Sequence, residues 1–217
     1  MTRIHDACRE PNAAARVAGL VLAGGRSLRF GGEKAVARVG GTPLLLSAAR
    51  RLQTSCRSVA ISVRPQTEAE ALAKASGFPT LYDAAGDAAG PLAGVKAGLI
   101  WAATIGALVL AVSPCDAPLL PDDLFARLIE SAKGGAAMAE TSEGPQPLCA
   151  LWPIEALPLV KEVLDGGAHP PTWQVLEQLG ARKIRFDPPE AFANINTRED
   201  LAAVEAKRSS NHRVGSS

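Results

Sequence analysis

The sequence predicts a single α/β domain, a mostly parallel central sheet with helices on both faces, from three observations. Short apolar runs at residues 17–22, 59–63, 80–82 and 107–112 alternate with helical stretches, as in a parallel sheet wrapped by helices. A glycine-rich, basic turn follows the first run directly. The other candidate ligand-binding segments also fall just after strands, at the edge where open α/β sheets hold their ligands. The length of 217 residues, 47% hydrophobic and 21% charged, suits one domain with a sizeable core.

The elements follow in chain order. Residues 1–15 contain Asp6 and Glu10 and lack an apolar core, so a frayed terminus is expected rather than a secretory signal. Thr42-Pro43 is expected to open a helix, with proline in the first turn and Leu44, Leu45, Ala48, Ala49 and Leu52 as its apolar stripe. A second helix spans 67–75 and stops at Gly77. A third, amphipathic, runs from Pro91 to about 103, and Pro121-Asp122-Asp123 starts a fourth with acids at its positive end.

Residues 97–115 carry no charge over nineteen positions, close to membrane-spanning length. Gly98, Thr104, Gly106, Ser113 and Pro114 interrupt that run, so a helix, a turn at Gly106 and a buried strand are expected instead. Further on, 136–141 and 148–152 read as strands, in one reading an antiparallel pair, 154–164 as a helix, 172–179 as another and 181–186 as a last strand. Thr197 with Asp200 resembles a capping box for a final helix to about 207. The expected domain is 16–208, with a loose tail at 209–217.

With 23 basic and 22 acidic residues, no global field favours nucleic acid or an anionic membrane. An anionic ligand must be held locally. Cys8, Cys56, Cys115 and Cys149 are widely separated and form neither a disulfide framework nor a zinc motif. Reduced thiols in a cytoplasm are expected.

Leu22-Ala23-Gly24-Gly25-Arg26-Ser27-Leu28-Arg29-Phe30-Gly31-Gly32-Glu33-Lys34 has the build of a phosphate cradle. Glycines let backbone N–H groups approach phosphate oxygens, and Arg29 and Lys34 add full positive charge. The alternative is a flexible turn with solvated arginines. The spacing excludes a Walker loop, because Glu33 precedes Lys34 and Ala35 replaces the magnesium-binding hydroxyl. It also excludes the dinucleotide fingerprint, since five residues separate Gly25 from the next glycine.

Ser113-Pro114-Cys115-Asp116-Ala117-Pro118 sets one carboxylate at the end of an apolar strand. It could hold Mg2+, which favours one or two carboxylates plus substrate phosphates, or cap the helix near Pro121. The loop from Asp83 to Gly94 could close over a base and ribose or lie solvated, and Lys96 reads as an exposed helix lysine. Asn194 and Asn196 share one face if extended; they could meet a metal-bound phosphate or cap the last helix. His169 is read as a loop histidine.

Together Leu22-Ala23-Gly24-Gly25 with Arg29-Phe30-Gly31 and Lys34, Gly90-Pro91-Leu92-Ala93-Gly94, Pro114-Cys115-Asp116-Ala117-Pro118 and Asn194-Ile195-Asn196-Thr197-Arg198-Glu199-Asp200-Leu201 resemble the molybdenum cofactor guanylyltransferase family. The resemblance runs from about residue 17 to 204. It implies a Rossmann-like nucleotidyltransferase fold and transfer of GMP from GTP to molybdenum-bearing molybdopterin, with Mg2+ as cofactor and pyrophosphate as second product. It further implies that Leu22, Ala23, Gly24 and Gly25 contact guanine and ribose, Lys34 the phosphates, Asp83 the nucleotide, and Asp116 both nucleotide and Mg2+. Asn196 is a second metal candidate. Ser62 stands where some members have a nucleotide-contacting asparagine. Gln146, Asn194 and Asn196 are candidates for the substrate side, and the loop at 166–173 for the pterin.

The nucleophile would be the pterin's terminal phosphate, already ionised near neutral pH, so Arg29, Lys34 and Asp116 could carry catalysis by positioning and charge alone. Cytidylyl relatives tend to carry Leu-Ala-Ala-Gly where this chain has Leu22-Ala23-Gly24-Gly25, which favours GTP over CTP. Competing readings keep the chemistry with CTP or another phosphorylated metabolite, or make the chain a non-catalytic nucleotide-binding adaptor in cofactor delivery. Molybdenum-insertion proteins and target molybdoenzymes are the protein partners that the resemblance implies; no membrane or nucleic-acid partner is expected.

Overall fold

The first apolar run forms the middle of the sheet. In a computed structural model, which describes residues 16–25, 29–84, 90–167 and 170–214, β1 (Val17–Leu22) lies between β4 (Ser58–Ser62) and β6 (Val109–Pro114) and is parallel to both. β5 (Thr80–Leu81) extends the parallel part beyond β4. On the other side β8 (Gly144–Pro153) runs antiparallel to β6 and to β7 (Ala137–Thr141), and β9 (Arg182–Arg185) closes the edge parallel to β7. The sheet order is β5-β4-β1-β6-β8-β7-β9. The α/β fold with a mostly parallel core is as the sequence predicts, and β7 and β8 form the antiparallel pair read from residues 136–152.

Helices cover both faces because successive strand residues point to opposite sides. Val17, Val21, Val59, Ile61 and Ala111 face α1 (Leu44–Gln53), α2 (Glu68–Ala75) and α4 (Leu124–Ala132). Ala18, Leu20, Leu110, Val112 and Trp152 face α3 (Pro91–Thr104), α5 (Leu157–Asp165) and α6 (Thr172–Gln178). Helix α3 is apolar nearly all round rather than amphipathic as expected: it holds a single charge, Lys96, and buries seven of its residues, because α5 packs over it as well as the sheet beneath. It sits very close to the strands. A Cβ at Gly98 would lie 2.6 Å from Leu20 Cδ2 and 2.8 Å from Leu110 Cδ2, and one at Gly94 would lie 2.7 Å from Leu22 Cδ2.

Three further elements differ from expectation. Thr42-Pro43 does not begin α1; it forms β3, paired antiparallel with β2 (Arg38–Val39), and Pro43 stands just outside the helix as its N-cap. Gly40 and Gly41 at φ 57° and 77° make the two-residue turn, a conformation that glycine pairs adopt without steric cost. Helix α5 begins at Leu157, after a 3-10 turn at Ile154–Ala156. Helix α7 runs Arg198–Val214 rather than ending near 207, since neither glycine nor proline occurs in it before Gly215.

No helix among the described residues is long and apolar enough to cross a membrane. The charge-free stretch 97–115 divides into the end of α3, a turn with Gly106 at φ 71°, and β6. Residues 1–15, 26–28, 85–89, 168–169 and 215–217 lie outside the description, and with them Cys8, Arg26, Asp87 and His169.

Candidate active site

The chain reverses its direction of travel across the sheet at β1. The path β1, α1, β4, α2, β5 moves outward on one side, and α3 then carries it back to β6 on the other. The loops after β1 and β6 consequently diverge and leave a crevice between their carboxyl ends, the place where such sheets bind ligands. Leu22 and Pro114 are register partners at that edge.

Lys34 and Asp116 meet there. Lys34 Nζ donates to Asp116 Oδ2 at 2.6 Å and lies 3.4 Å from Asn196 Oδ1. The two charged side chains are 13% and 20% exposed, so their attraction is screened less than that of a pair in open water. Three chain segments thus converge on one ammonium.

Each segment is fastened separately. The loop bearing Asp116 is held by Cys115 N–H to the Leu22 carbonyl at 3.2 Å, Ile195 N–H to the Asp116 carbonyl at 2.8 Å, and the Arg51 guanidinium to the Pro118 carbonyl at 3.0 Å. Asp116 does not cap α4, whose N-cap is Asp123. Lys34 stands on a 3-10 turn, Lys34–Val36, and the preceding Glu33 accepts the Ala69 N–H at 2.7 Å in the first turn of α2. That carboxylate satisfies a donor that the helix itself leaves unpaired. Phe30 anchors the other end of the loop in a small apolar cluster with Val39, Leu44, Ile195 and Val204, and the Arg198 guanidinium lies 5.4 Å from its ring centre.

Asn194 and Asn196 are both exposed and flank buried Ile195. The cap of α7 belongs to Thr197 and Asp200: Asp200 N–H donates to Thr197 Oγ1 at 3.1 Å, and Asp200 Oδ2 accepts Asn196 N–H at 2.8 Å and Thr197 N–H at 2.9 Å. Those N–H groups hold the Asp200 carboxyl below its ordinary pKa, with a smaller contribution from the Lys34 charge. Asn196 is therefore oriented by its backbone while its side chain faces Lys34.

The remaining candidates are spread along the same edge. Leu22 packs its side chain under α3, near Gly94, and Ser62 is buried beside it. Ala23 is buried with its N–H on the Ser62 carbonyl at 2.9 Å. A Cβ at Gly24 or Gly25 would meet nothing within 4 Å among the described residues, so their packing does not demand glycine there. Arg29 is exposed on the loop, and Asp83 is exposed just after β5. Gln146 lies on the part of β8 that runs past the carboxyl end of β6. A narrow cleft beside Lys34 is lined by Ala23, Gly25, Glu33, Arg64 and Thr67. A larger cavity of about 490 Å³ opens at the opposite edge, around Arg16, Leu108, Glu130 and Lys133. It shares no residue with the Lys34 cluster.

Cys115, next to Asp116 in sequence, turns into the core. Burial pushes its thiol up to about 12, with the Asp116 charge adding to the effect, so it offers no nucleophile to the crevice. Glu33, Phe30 and Arg51 support the site without having been singled out from sequence for that role. The acid immediately before Lys34 was the one local signal for Glu33, but its partner in α2 is 36 positions away.

Comparison with known proteins gives a consistent result. Residues 19–183 match the family description "MobA-like NTP transferase domain". The chain is 38% identical over 193 residues to a molybdenum cofactor guanylyltransferase of Cereibacter sphaeroides, covering 88% of this chain and 96% of that protein. It is 36% identical over 201 residues to one of Cupriavidus taiwanensis, covering 88% and 97%. Among solved structures it superposes on molybdopterin-guanine dinucleotide biosynthesis protein A from Archaeoglobus fulgidus with a TM-score of 0.71 at 23% identity, covering 89% and 99%. A 4-diphosphocytidyl-2C-methyl-D-erythritol synthase from Anaerococcus prevotii gives a TM-score of 0.71 at 13% identity, covering 90% and 97%. At those identities the structural likeness speaks for the fold alone.

Proposed function

The chain belongs to the MobA-like NTP transferase family, and from that premise we propose that it transfers GMP from GTP to molybdenum-bearing molybdopterin, forming the guanine dinucleotide cofactor and pyrophosphate. The observation that carries this reading is the convergence of Lys34, Asp116 and Asn196 at the divergence of β1 and β6. A phosphate oxygen of the pterin forms a bond to the α-phosphorus of GTP, and the bond from that phosphorus to the β-phosphate oxygen breaks. The acceptor is already ionised, so the chemistry asks for no base dyad beside Asp116.

Lys34 is placed to neutralise charge on the phosphates, and Arg29, on the same loop, to add to it. Leu22 to Gly25 line the approach for guanine and ribose, with Asp83 reaching the nucleotide from β5. The open space at Gly24 supports a base-binding role, because no described residue fills the place of the missing methyl. Gln146 and Asn194 are the candidates for contact with the acceptor.

The donor set suits a divalent cation. The Asp116 carboxylate and the Asn196 amide oxygen already converge on one positive charge, and Mg2+ takes few protein oxygens when substrate phosphates complete its shell. Asp116 and Asn196 would hold it, and when bound it supplies Lewis-acid neutralisation of phosphate charge. The reading places the enzyme in the cytoplasm, in keeping with the free Cys56, Cys115 and Cys149, with its product passing to molybdenum-insertion proteins and target molybdoenzymes. The test is pyrophosphate release from GTP and from CTP with Mg2+, with and without molybdopterin. Release that needs GTP and pterin together is expected; release with CTP alone would move the chain to cytidylyl transfer, and none at all would favour the adaptor.

A further inference from the structure

The residue that serves the phosphates and the residue that serves the metal are bonded to each other. Lys34 Nζ sits 2.6 Å from Asp116 Oδ2, with Asn196 Oδ1 on the same ammonium at 3.4 Å. A divalent cation held by these two oxygens would need the place of that ammonium. Two positive centres cannot share so small a space in a site this shielded without strong repulsion. One of them has to leave.

The backbone decides which. Asp116 is pinned through the Ile195 and Cys115 hydrogen bonds, and Asn196 through Asp200. The turn under Lys34 is pinned by Glu33 on α2. The mobile member is the lysine side chain, with four rotatable bonds and, among the described residues, only this carboxylate and amide as hydrogen-bond partners. A triphosphate offers it a richer anion within reach of the same turn.

Resting on the assignment of Asp116 and Asn196 to the metal in the preceding reading, we propose that Lys34 is a stand-in cation. In the nucleotide-free enzyme it occupies Asp116 and keeps divalent metal out, and it gives up that carboxylate only when a triphosphate draws it away. Metal and nucleotide then bind as one coupled event, each raising the affinity for the other by the same factor. Free metal does not fill the site ahead of its substrate.

The experiment is Mn2+ binding to the full-length protein without nucleotide, read from the electron paramagnetic resonance of free Mn2+. Wild type is compared with Lys34→Met, Lys34→Gln and the double variant Lys34→Met/Asp116→Asn, and the two single variants guard against a folding failure in either. Weak binding by wild type, binding about tenfold or more tighter in the Lys34 variants, and its loss in the double variant are expected. Wild type binding Mn2+ alone as tightly as the Lys34 variants would overturn the stand-in role and leave the metal site intact. If no variant binds Mn2+ and GTP adds no enzyme-bound Mn2+ to wild type, Asp116 is not a metal ligand, and the metal assignment falls together with the proposal.

Discussion

Lys34 and Asp116, 82 positions apart in the chain, are joined at 2.6 Å in the crevice between β1 and β6. The pair links the phosphate loop to the strand end that carries the only carboxylate touching that lysine among the described residues. It ties the two loops directly to each other.

Replacing Asp116 with Asn or Ala should lower turnover by about a hundredfold or more, since it removes the carboxylate proposed to hold the divalent cation at the reacting phosphates. The loss of stability should be much the smaller effect, because Asp116 is a partly exposed residue at the strand edge and its removal takes no volume from the core. Kinetics beside a thermal melt check both halves. Near wild-type turnover would remove Asp116 from the mechanism.

Glu33→Ala should loosen the phosphate loop from α2, reducing kcat and raising KM for GTP while costing about 1 kcal/mol of stability. Glu33→Gln keeps an oxygen for the Ala69 N–H and should recover most of the stability. A Glu33→Ala enzyme with unchanged kinetics would show that the anchor does not position Lys34.

Gly98→Ala puts a methyl against Leu20 and Leu110 and should destabilise by about 1–3 kcal/mol, lowering the melting temperature by several degrees without altering base choice. Gly24→Ala meets open space and should melt like wild type. Its GTP over CTP selectivity should fall by about tenfold or more; an unchanged ratio would mean that the base is chosen elsewhere.

Burial pushes the thiols of Cys56, Cys115 and Cys149 up to about 12. All three should resist alkylation at pH 8 in the native protein and react on unfolding, as read by peptide mass spectrometry. Because the unfolded thiols ionise near 9.0, their contribution to stability is complete below that pH and is lost as pH rises from there toward 12. Denaturant melts between pH 8 and 11 should show the decline.

The Asp200 carboxyl is held low by the Asn196 and Thr197 N–H groups. Its hold on the Asn196 loop is complete above the ordinary carboxylate pKa and is lost as pH falls through the lowered value. Asp200→Ala should therefore weaken GTP binding at neutral pH and flatten the acid limb of a binding profile. An unaltered limb would remove Asp200 from that titration.

Local pattern was enough for much of this molecule. Apolar runs marked the strands, Thr197 and Asp200 marked a helix start that the hydrogen bonds reproduce, and the glycine-rich loop and Asp116 were placed at one edge by strand order alone. The Gly40-Gly41 hairpin was missed because Thr42-Pro43 also suits a helix start, and only the pairing with Arg38–Val39 decides between them. The union of Lys34 with Asp116 depends on β6 lying beside β1, and the burial of Phe30 on a segment 165 positions later. Such long-range choices leave no periodic trace.

The bond from Ile195 to Asp116 has a consequence for the chain as it is made. β1, β4 and β6 can assemble on the ribosome once residue 114 has emerged, since domains acquire structure from the amino end during synthesis. Asn196 and Asp200 lie in the last stretch of the 217 residues. A nascent chain therefore carries Lys34 and Asp116 long before it carries Asn196, the third group on that ammonium, and a product truncated before residue 194 would hold the nucleotide loop without that segment.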